Sequence, residues 1–102
     1  ALAATQQTEV DHYQAPETEF EEIIQSIWME VFQLEKIGIH TDFIRLGGDS
    51  LLAIRLITRI NAAFELQLPA NLVFQKPSIA ELAVEVEAII RQLLLQMEDL
   101  DS

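Results

Sequence analysis

One hydroxyl group follows two glycines and an acid in the stretch RLGGDSLLAI, which covers residues 45–54. Asp49 and Ser50 are residue types that cap helices, and an apolar run follows them at once. A serine at the start of a helix lies near unpaired backbone N–H groups and the positive end of the helix dipole, where a phosphate ester is stabilised. The simplest interpretation is a glycine turn with an N-cap. The stretch also predicts that Ser50 is suited to carry a phosphodiester.

Other chemistry at Ser50 is disfavoured by the residues around it. The hydrolase elbow needs glycine two residues on either side of the serine, and Leu52 stands at the second of these positions. A serine triad also needs a histidine held by an acid, and the two histidines are His12 near the start of the chain and His40 before the glycines. Separated histidines without cysteine make no set of metal ligands, and the glycine pair lacks the pattern of a phosphate-binding loop. We therefore expect no catalytic residue and no metal site.

The overall composition limits what the chain can bind. With 102 residues, half of them apolar, it can bury one modest core and should fold as a single domain. A net charge of -11 with six basic residues argues against nucleic acid as a partner. No apolar run approaches the length that a bilayer requires, so no membrane contact is expected. The absence of cysteine fits a reducing compartment, and we expect a cytoplasmic protein.

The spacing of apolar residues predicts a small all-α four-helix bundle, with no strand alternation in the chain. Capping-box spacing opens the first helix at Thr18 and the last helix after Ser78. We expect residues 16–90 to form the domain, and residues 91–102 to be an extension of the last helix or an acidic C-terminal linker. In chain order the predicted segments are a linker from an upstream domain at 1–15, a long helix at 18–34, a long connection at 35–49, a long helix at 50–64, a short helix at 70–75 and a long final helix from 79.

Apolar stripes of helical spacing predict which faces of the long helices form the core. Trp28 lies at the edge of the first stripe, where its indole should close the core. A single turn beginning at Thr41 and Asp42 should carry Phe43 and Leu46 inward. The stripes consist of Phe20, Ile23, Ile24, Ile27, Val31 and Leu34 in the first helix, Ala53, Leu56, Ile57, Ile60 and Phe64 in the second, and Ile79, Leu82, Ala83, Val86, Ile90 and Leu93 in the last.

Three large apolar residues of the second helix lie off its core stripe. Leu51, Leu52 and Ile54 fall about 100° or more from the centre of that stripe. Single exposed leucines are ordinary on protein surfaces, but three such residues within four positions, next to a surface serine, predict a docking patch. The alternative is a noncovalent helical interaction module in which these three residues form a dimer seam.

The stretch GIHTDFIRLGGDSLLAIRLITRIN, taken with the helix order and the long first connection, resembles the carrier domains of nonribosomal peptide synthetases. These are also called peptidyl carrier or thiolation domains. The likeness includes the pair Ile27-Trp28, Gly38 and the stretch LPANLVFQKPSIAEL, and extends over most of the chain. It implies the acyl-carrier-like four-helix fold, and a covalent carrier that is not an enzyme in its own right.

The resemblance implies a role for each residue of the serine motif. Ser50 is expected to be the attachment site of 4'-phosphopantetheine, with Asp49 and Gly48 beside the cofactor. The thiol of this arm is then expected to hold an aminoacyl or peptidyl group as a thioester. In the family, an aspartate before the serine is loosely associated with carriers that serve an epimerisation domain.

The resemblance also implies partners. They are a phosphopantetheinyl transferase, an adenylation domain, and condensation, epimerisation or thioesterase domains of the same assembly line. The excised domain is expected to be monomeric. The residues expected to form the docking rim are Leu51, Leu52, Ile54 and Thr58 of the second helix with Val73 and Phe74 of the short third helix.

Two related kinds of carrier stay open as alternatives. Carrier domains of polyketide and fatty acid synthases share the D-S-L core, and an aryl carrier would load a benzoate-type starter. Free-standing carriers of the fatty acid kind look strongly acidic on the second helix. Here that helix carries Arg55 and Arg59 with no acid before Glu65, which favours the peptide carrier.

Overall fold

Four helices make up the fold in the computed structural model, which describes residues 14–101. They are α1 (Glu19–Phe32), α2 (Ser50–Phe64), α3 (Leu72–Gln75) and α4 (Ile79–Asp101). The described residues contain no strand, so the predicted all-α class is confirmed, with three long helices and one short one. Most of the predicted linker at residues 1–15 lies outside the described residues. None of the described helices is long and apolar enough to cross a membrane.

Helix α1 begins at the predicted capping box. The Glu21 N–H donates to the Thr18 hydroxyl at 3.1 Å, and the Thr18 N–H donates to the Glu21 carboxylate at 3.3 Å. The box thereby satisfies donors that have no partner within the helix. The helix ends at Phe32, sooner than predicted, because Gln33 turns into the left-handed region with φ 57°. Leu34 therefore leaves the predicted stripe and is exposed.

The core lies where α1 packs against both α2 and α4. Phe20 at the start of α1 stacks on Phe64 at the end of α2, with 5.8 Å between ring centroids, so these two helices run antiparallel. Ile23, which the stripe placed inward, is exposed instead. Burial of apolar area is the main favourable contribution to folding, and it comes here from every helix and from the first connection. The fully buried side chains include Ile24, Trp28, Phe43, Leu56, Ile60, Val73, Ile79, Leu82 and Val86.

The long connection between α1 and α2 is held to the bundle by its own residues. As predicted, a turn begins at Asp42, whose carboxylate accepts the N–H groups of Ile44 at 2.8 Å and Arg45 at 3.3 Å. Phe43 is fully buried, and its N–H donates to the Pro77 carbonyl at 2.7 Å. This bond ties the connection to the residues that precede α4.

Helix α4 begins after Ser78, where the second box was predicted, and continues past the bundle; the Ser78 hydroxyl caps the helix, but the Glu81 carboxylate bonds to that hydroxyl instead of the Ser78 N–H. The Glu81 N–H donates to the Ser78 hydroxyl at 3.2 Å, and this hydroxyl donates to the Glu81 carboxylate at 2.9 Å. The helix continues as far as Asp101, through most of the residues 91–102 that were predicted to be a helix extension or an acidic linker. The prediction that Leu93 joins the core stripe is wrong, because α4 has 23 residues and α1, against which it packs, has 14. The large apolar residues exposed beyond the bundle are Leu93, Leu94, Leu95 and Met97.

Candidate functional site

Two glycines shape the turn that leads into α2. Gly47 has φ 90°, in the left-handed region that glycine adopts without strain. Gly48 lies so close to the ring of Phe43 that a β-carbon at this position would overlap the ring. The Gly48 N–H also donates to the Phe43 carbonyl at 3.0 Å. Packing on Phe43 thus determines where the turn lies and where α2 begins.

Asp49 and Ser50 have separate roles at the start of α2. Asp49 is the N-cap, and its carboxylate accepts the Leu52 N–H at 2.9 Å. The Asp49 carbonyl accepts the Ala53 N–H at 2.8 Å. Ser50 is the first helical residue and is exposed, and its hydroxyl has no hydrogen-bond partner within residues 14–101. Because the acid does the capping, the hydroxyl is left to solvent, which explains why the sequence has both residues.

Most, but not all, of the residues predicted to form the docking rim on α2 are exposed in the structure. Leu51 and Ile54 are 61% and 53% exposed, and Thr58 is exposed further along the helix. Leu52, which was expected to point outward, is half-buried and packs against the core. At about 100° per residue, Leu52 lies closer than Leu51 to the core stripe. This corrects its place in the rim.

Of the two residues on α3 that were predicted to belong to the docking rim, one lies in the core and the other at the surface. Val73 is fully buried, whereas Phe74 is 44% exposed. A helix of four residues has little more than one turn, so consecutive side chains face directions about 100° apart. Val73 is therefore a core residue, which corrects its place in the docking rim. Phe74 remains a candidate.

A row of aromatic contacts joins Phe74 to the turn before Ser50. Phe74 meets Phe43 edge-on, with 5.6 Å between centroids, and Phe43 meets Trp28 at 6.0 Å and Phe32 at 5.6 Å. Trp28, expected at the edge of a stripe, is fully buried within this row. Spacing along the sequence carries no signal for these contacts, because the rings come from α1, the connection and α3. Phe43, which no sequence pattern marked as a site residue, links the exposed ring to the Gly48 turn.

The segment that contains this turn and most of the bundle matches a known family. Residues 22–85 match the family described as the phosphopantetheine attachment site. The chain belongs to this family. A solved non-ribosomal PCP domain is 39% identical to the chain, with a TM-score of 0.64, and the match covers 70% of this chain and 91% of that domain. The chain is therefore a peptidyl carrier domain of the nonribosomal peptide synthetase type.

Two further relatives agree with this family. A structure of the phosphopantetheine transferase Sfp in complex with coenzyme A and a peptidyl carrier protein contains a chain 30% identical to this one. The match covers 74% of this chain and 99% of that one, with a TM-score of 0.71. Tyrocidine synthase 3 of Brevibacillus parabrevis is 41% identical over 71 residues, or 70% of this chain. The chain spans 1% of the length of that synthase. These relatives favour a peptide carrier over a polyketide or fatty acid carrier.

The start of α2 in this peptidyl carrier domain fits a phosphopantetheine group. The backbone N–H groups of Ser50 and Leu51 belong to the first helical turn, whose donors have no partner within the helix. The first turn of α2 contains no acidic residue, and the carboxylate of Asp49 is already bonded to the Leu52 N–H. Within residues 14–101, no group of three or more His, Cys, Asp or Glu is placed to hold a metal ion. The donor set therefore suits an anionic ester rather than a cation.

Proposed function

We propose that Ser50 carries the phosphopantetheine arm of this peptidyl carrier domain during nonribosomal peptide synthesis. The observation that carries the proposal is the Ser50 hydroxyl, which is exposed at the first residue of α2 and unpartnered among the described residues. When attached, the arm supplies a thiol that holds an aminoacyl or peptidyl group as a thioester. The negative charge of the phosphodiester would lie at the positive end of the helix dipole, which stabilises it.

The residues beside Ser50 act by holding its position. Asp49 ends the turn and caps α2 through its bond to the Leu52 N–H. Gly48 lets the turn pack directly on Phe43, so the hydroxyl starts from a backbone held by the core. The domain is proposed to have no catalytic activity of its own. A covalent tether raises the effective concentration of the carried group at each enzyme that binds the domain.

The exposed rim beside Ser50 is proposed to bind those enzymes in turn. Its members are Leu51, Ile54 and Thr58 of α2 with Phe74 of α3. Such contacts should be small and short-lived, because one carrier must release each partner before it meets the next. We expect the excised domain to be monomeric.

The relatives support a first and a second partner. The Sfp complex supports a phosphopantetheinyl transferase. The McyG A-PCP structure, complexed with phenylalanyl-adenylate and 30% identical to this chain, supports an adenylation domain. Condensation, epimerisation or thioesterase domains would act on the loaded arm afterwards. Because the arm comes from coenzyme A, which is an intracellular cofactor, the proposed location is the cytoplasm.

Intact mass spectrometry tests the assignment of Ser50. The chain is incubated with coenzyme A and the transferase Sfp, and the mass is compared with that of the untreated chain. The natural chain should gain one phosphopantetheine group, and Ser50→Ala should gain none. Ser26→Ala is the matched control, because Ser26 is also exposed but lies within α1, and this variant should be loaded fully. A gain that survives Ser50→Ala, or no gain in the natural chain, contradicts the proposal.

A further inference from the structure

A groove of about 270 Å³ lies along α2 and is closed on one side by α1. Val31 contributes to it from α1, where it is half-buried at the edge of the core. Ile54 and Thr58 contribute methyl groups from α2, and Ile54 is 53% exposed. Arg55 and Arg59 complete the lining. The groove therefore combines apolar contact area with hydrogen-bond donors.

The two arginines of the groove differ in what they already bind. Arg59, which lines the groove, forms an ion pair with Glu30 of α1. Arg55 is exposed and has no ion pair or hydrogen bond within residues 14–101. An arginine has several N–H donors and no acceptor, so Arg55 is available to a carbonyl oxygen that enters the groove.

Ser50 stands in the same row of the helix surface as two of the groove residues. Residues four apart along a helix lie on one face, and Ser50, Ile54 and Thr58 have this spacing. With a rise of about 1.5 Å per residue, Ile54 is about 6 Å and Thr58 about 12 Å along the axis from Ser50. A flexible chain attached to the Ser50 hydroxyl thus has a direct path over Ile54 into the groove.

We infer that the phosphopantetheine arm folds back along this row and rests in the groove between α1 and α2, an inference that rests on attachment at Ser50. The geminal methyl groups of the pantoyl unit contact Ile54 and Val31, because both offer apolar surface to the groove. An amide carbonyl of the arm accepts a hydrogen bond from Arg55. The resting arm covers Ile54, so an enzyme that binds the rim displaces it, and the thiol end is released only when a partner is present.

Isotope-filtered nuclear Overhauser spectroscopy tests the inference directly. The chain is labelled with ¹³C and ¹⁵N, loaded from unlabelled coenzyme A by Sfp, and checked by intact mass. Contacts are expected between the pantoyl methyl protons and the methyl groups of Val31 and Ile54, and between protons further along the arm and the methyl group of Thr58. If the arm instead contacts Phe74, or gives no contact beyond Leu51, the inference is overturned. A chain that fails to load contradicts attachment at Ser50, whereas a loaded chain without groove contacts contradicts the groove alone.

Two pairs of variants separate the groove from general surface effects. Ile54→Asn should lower the holo-minus-apo shift differences at the Val31 methyl groups by about twofold or more, because the arm leaves a groove that has lost apolar area. Ile44→Asn is the matched control, since Ile44 is 55% exposed but lies in the connection outside the groove. Arg55→Gln should reduce the shift differences at Thr58, and Arg91→Gln on α4, outside the groove, should not. Equal effects of a variant and its control would also overturn the inference.

Discussion

The ring of Phe43 occupies the space into which a side chain on Gly48 would project. Phe43 is fully buried, and its carbonyl accepts the Gly48 N–H at 3.0 Å, so ring and backbone both hold the turn. The same ring meets Phe74, which is exposed in the proposed docking rim. One core residue therefore supports both the turn before Ser50, the proposed attachment site, and the exposed aromatic side chain of Phe74.

Gly48→Ala should lower the free energy of unfolding by about 1–3 kcal/mol, because the added methyl group overpacks against a ring that the core holds in place. Urea unfolding followed by circular dichroism measures this change. The loss should shrink in a Phe43→Leu background, which leaves room for the methyl group. Gly47→Ala should also be destabilising, but through backbone strain at φ 90°, and its cost should be the same in both backgrounds. If Gly48→Ala lowers the free energy of unfolding equally in the natural chain and in the Phe43→Leu background, overlap with the ring is not the cause.

Asp49→Ala should lower the free energy of unfolding by about 1 kcal/mol, because α2 loses the acceptor for the Leu52 N–H. Asp49→Asn should retain most of the stability, since an asparagine side chain also caps. Ser50→Ala should change stability by less than about 0.5 kcal/mol, because the hydroxyl is exposed and unpartnered among the described residues. Thermal or urea unfolding of the three variants checks this order. Equal losses in Asp49→Ala and Ser50→Ala would mean that the serine shares the capping.

Substitution of Val73 should affect the stability of the fold, whereas substitution of Phe74 should affect partner binding. Val73→Ala removes fully buried methyl groups and should lower the free energy of unfolding by about 2 kcal/mol. Under conditions in which this variant is folded, the KM of the carrier in the Sfp reaction should be unchanged. Phe74→Ser should raise the KM of the carrier in the Sfp reaction, because the rim loses its exposed aromatic surface. The measurement is the steady-state rate of loading at varied carrier concentration, beside an unfolding curve for each variant. A raised KM for Val73→Ala in a fully folded sample would return that residue to the rim.

The two halves of α4 should differ in how much they support the bundle. Val86→Ala should cost about 2 kcal/mol, because Val86 is fully buried against the core. Leu94→Gln and Met97→Gln should each change the free energy of unfolding by less than about 0.5 kcal/mol, because these side chains are 56% and 60% exposed. Urea unfolding compares the three. A large loss from either glutamine variant would show that the extension packs against the bundle.

Local patterns in the sequence predicted most of the helices and the caps and turns that begin them. The capping box at Thr18, the start of α2 at Ser50 and the turn at Asp42 formed as expected, and the Ser78 hydroxyl caps α4 as half of the second predicted box. Each depends on residues within a few positions of one another, so spacing and residue type suffice. The boundary at Phe32 was missed because Gln33, without the usual glycine, takes the left-handed cap conformation.

The sequence by itself determined the helix order and a cap at Asp49-Ser50, because these follow from short-range chemistry, and the structure assigned the cap to Asp49. The tertiary structure alone decided which neighbour of a pair faces the core, as with Val73 against Phe74. It also decided that Gly48 packs on Phe43 and that α4 leaves the bundle before Leu93. These features depend on what lies opposite each residue in space, and the opposing groups come from distant parts of the chain.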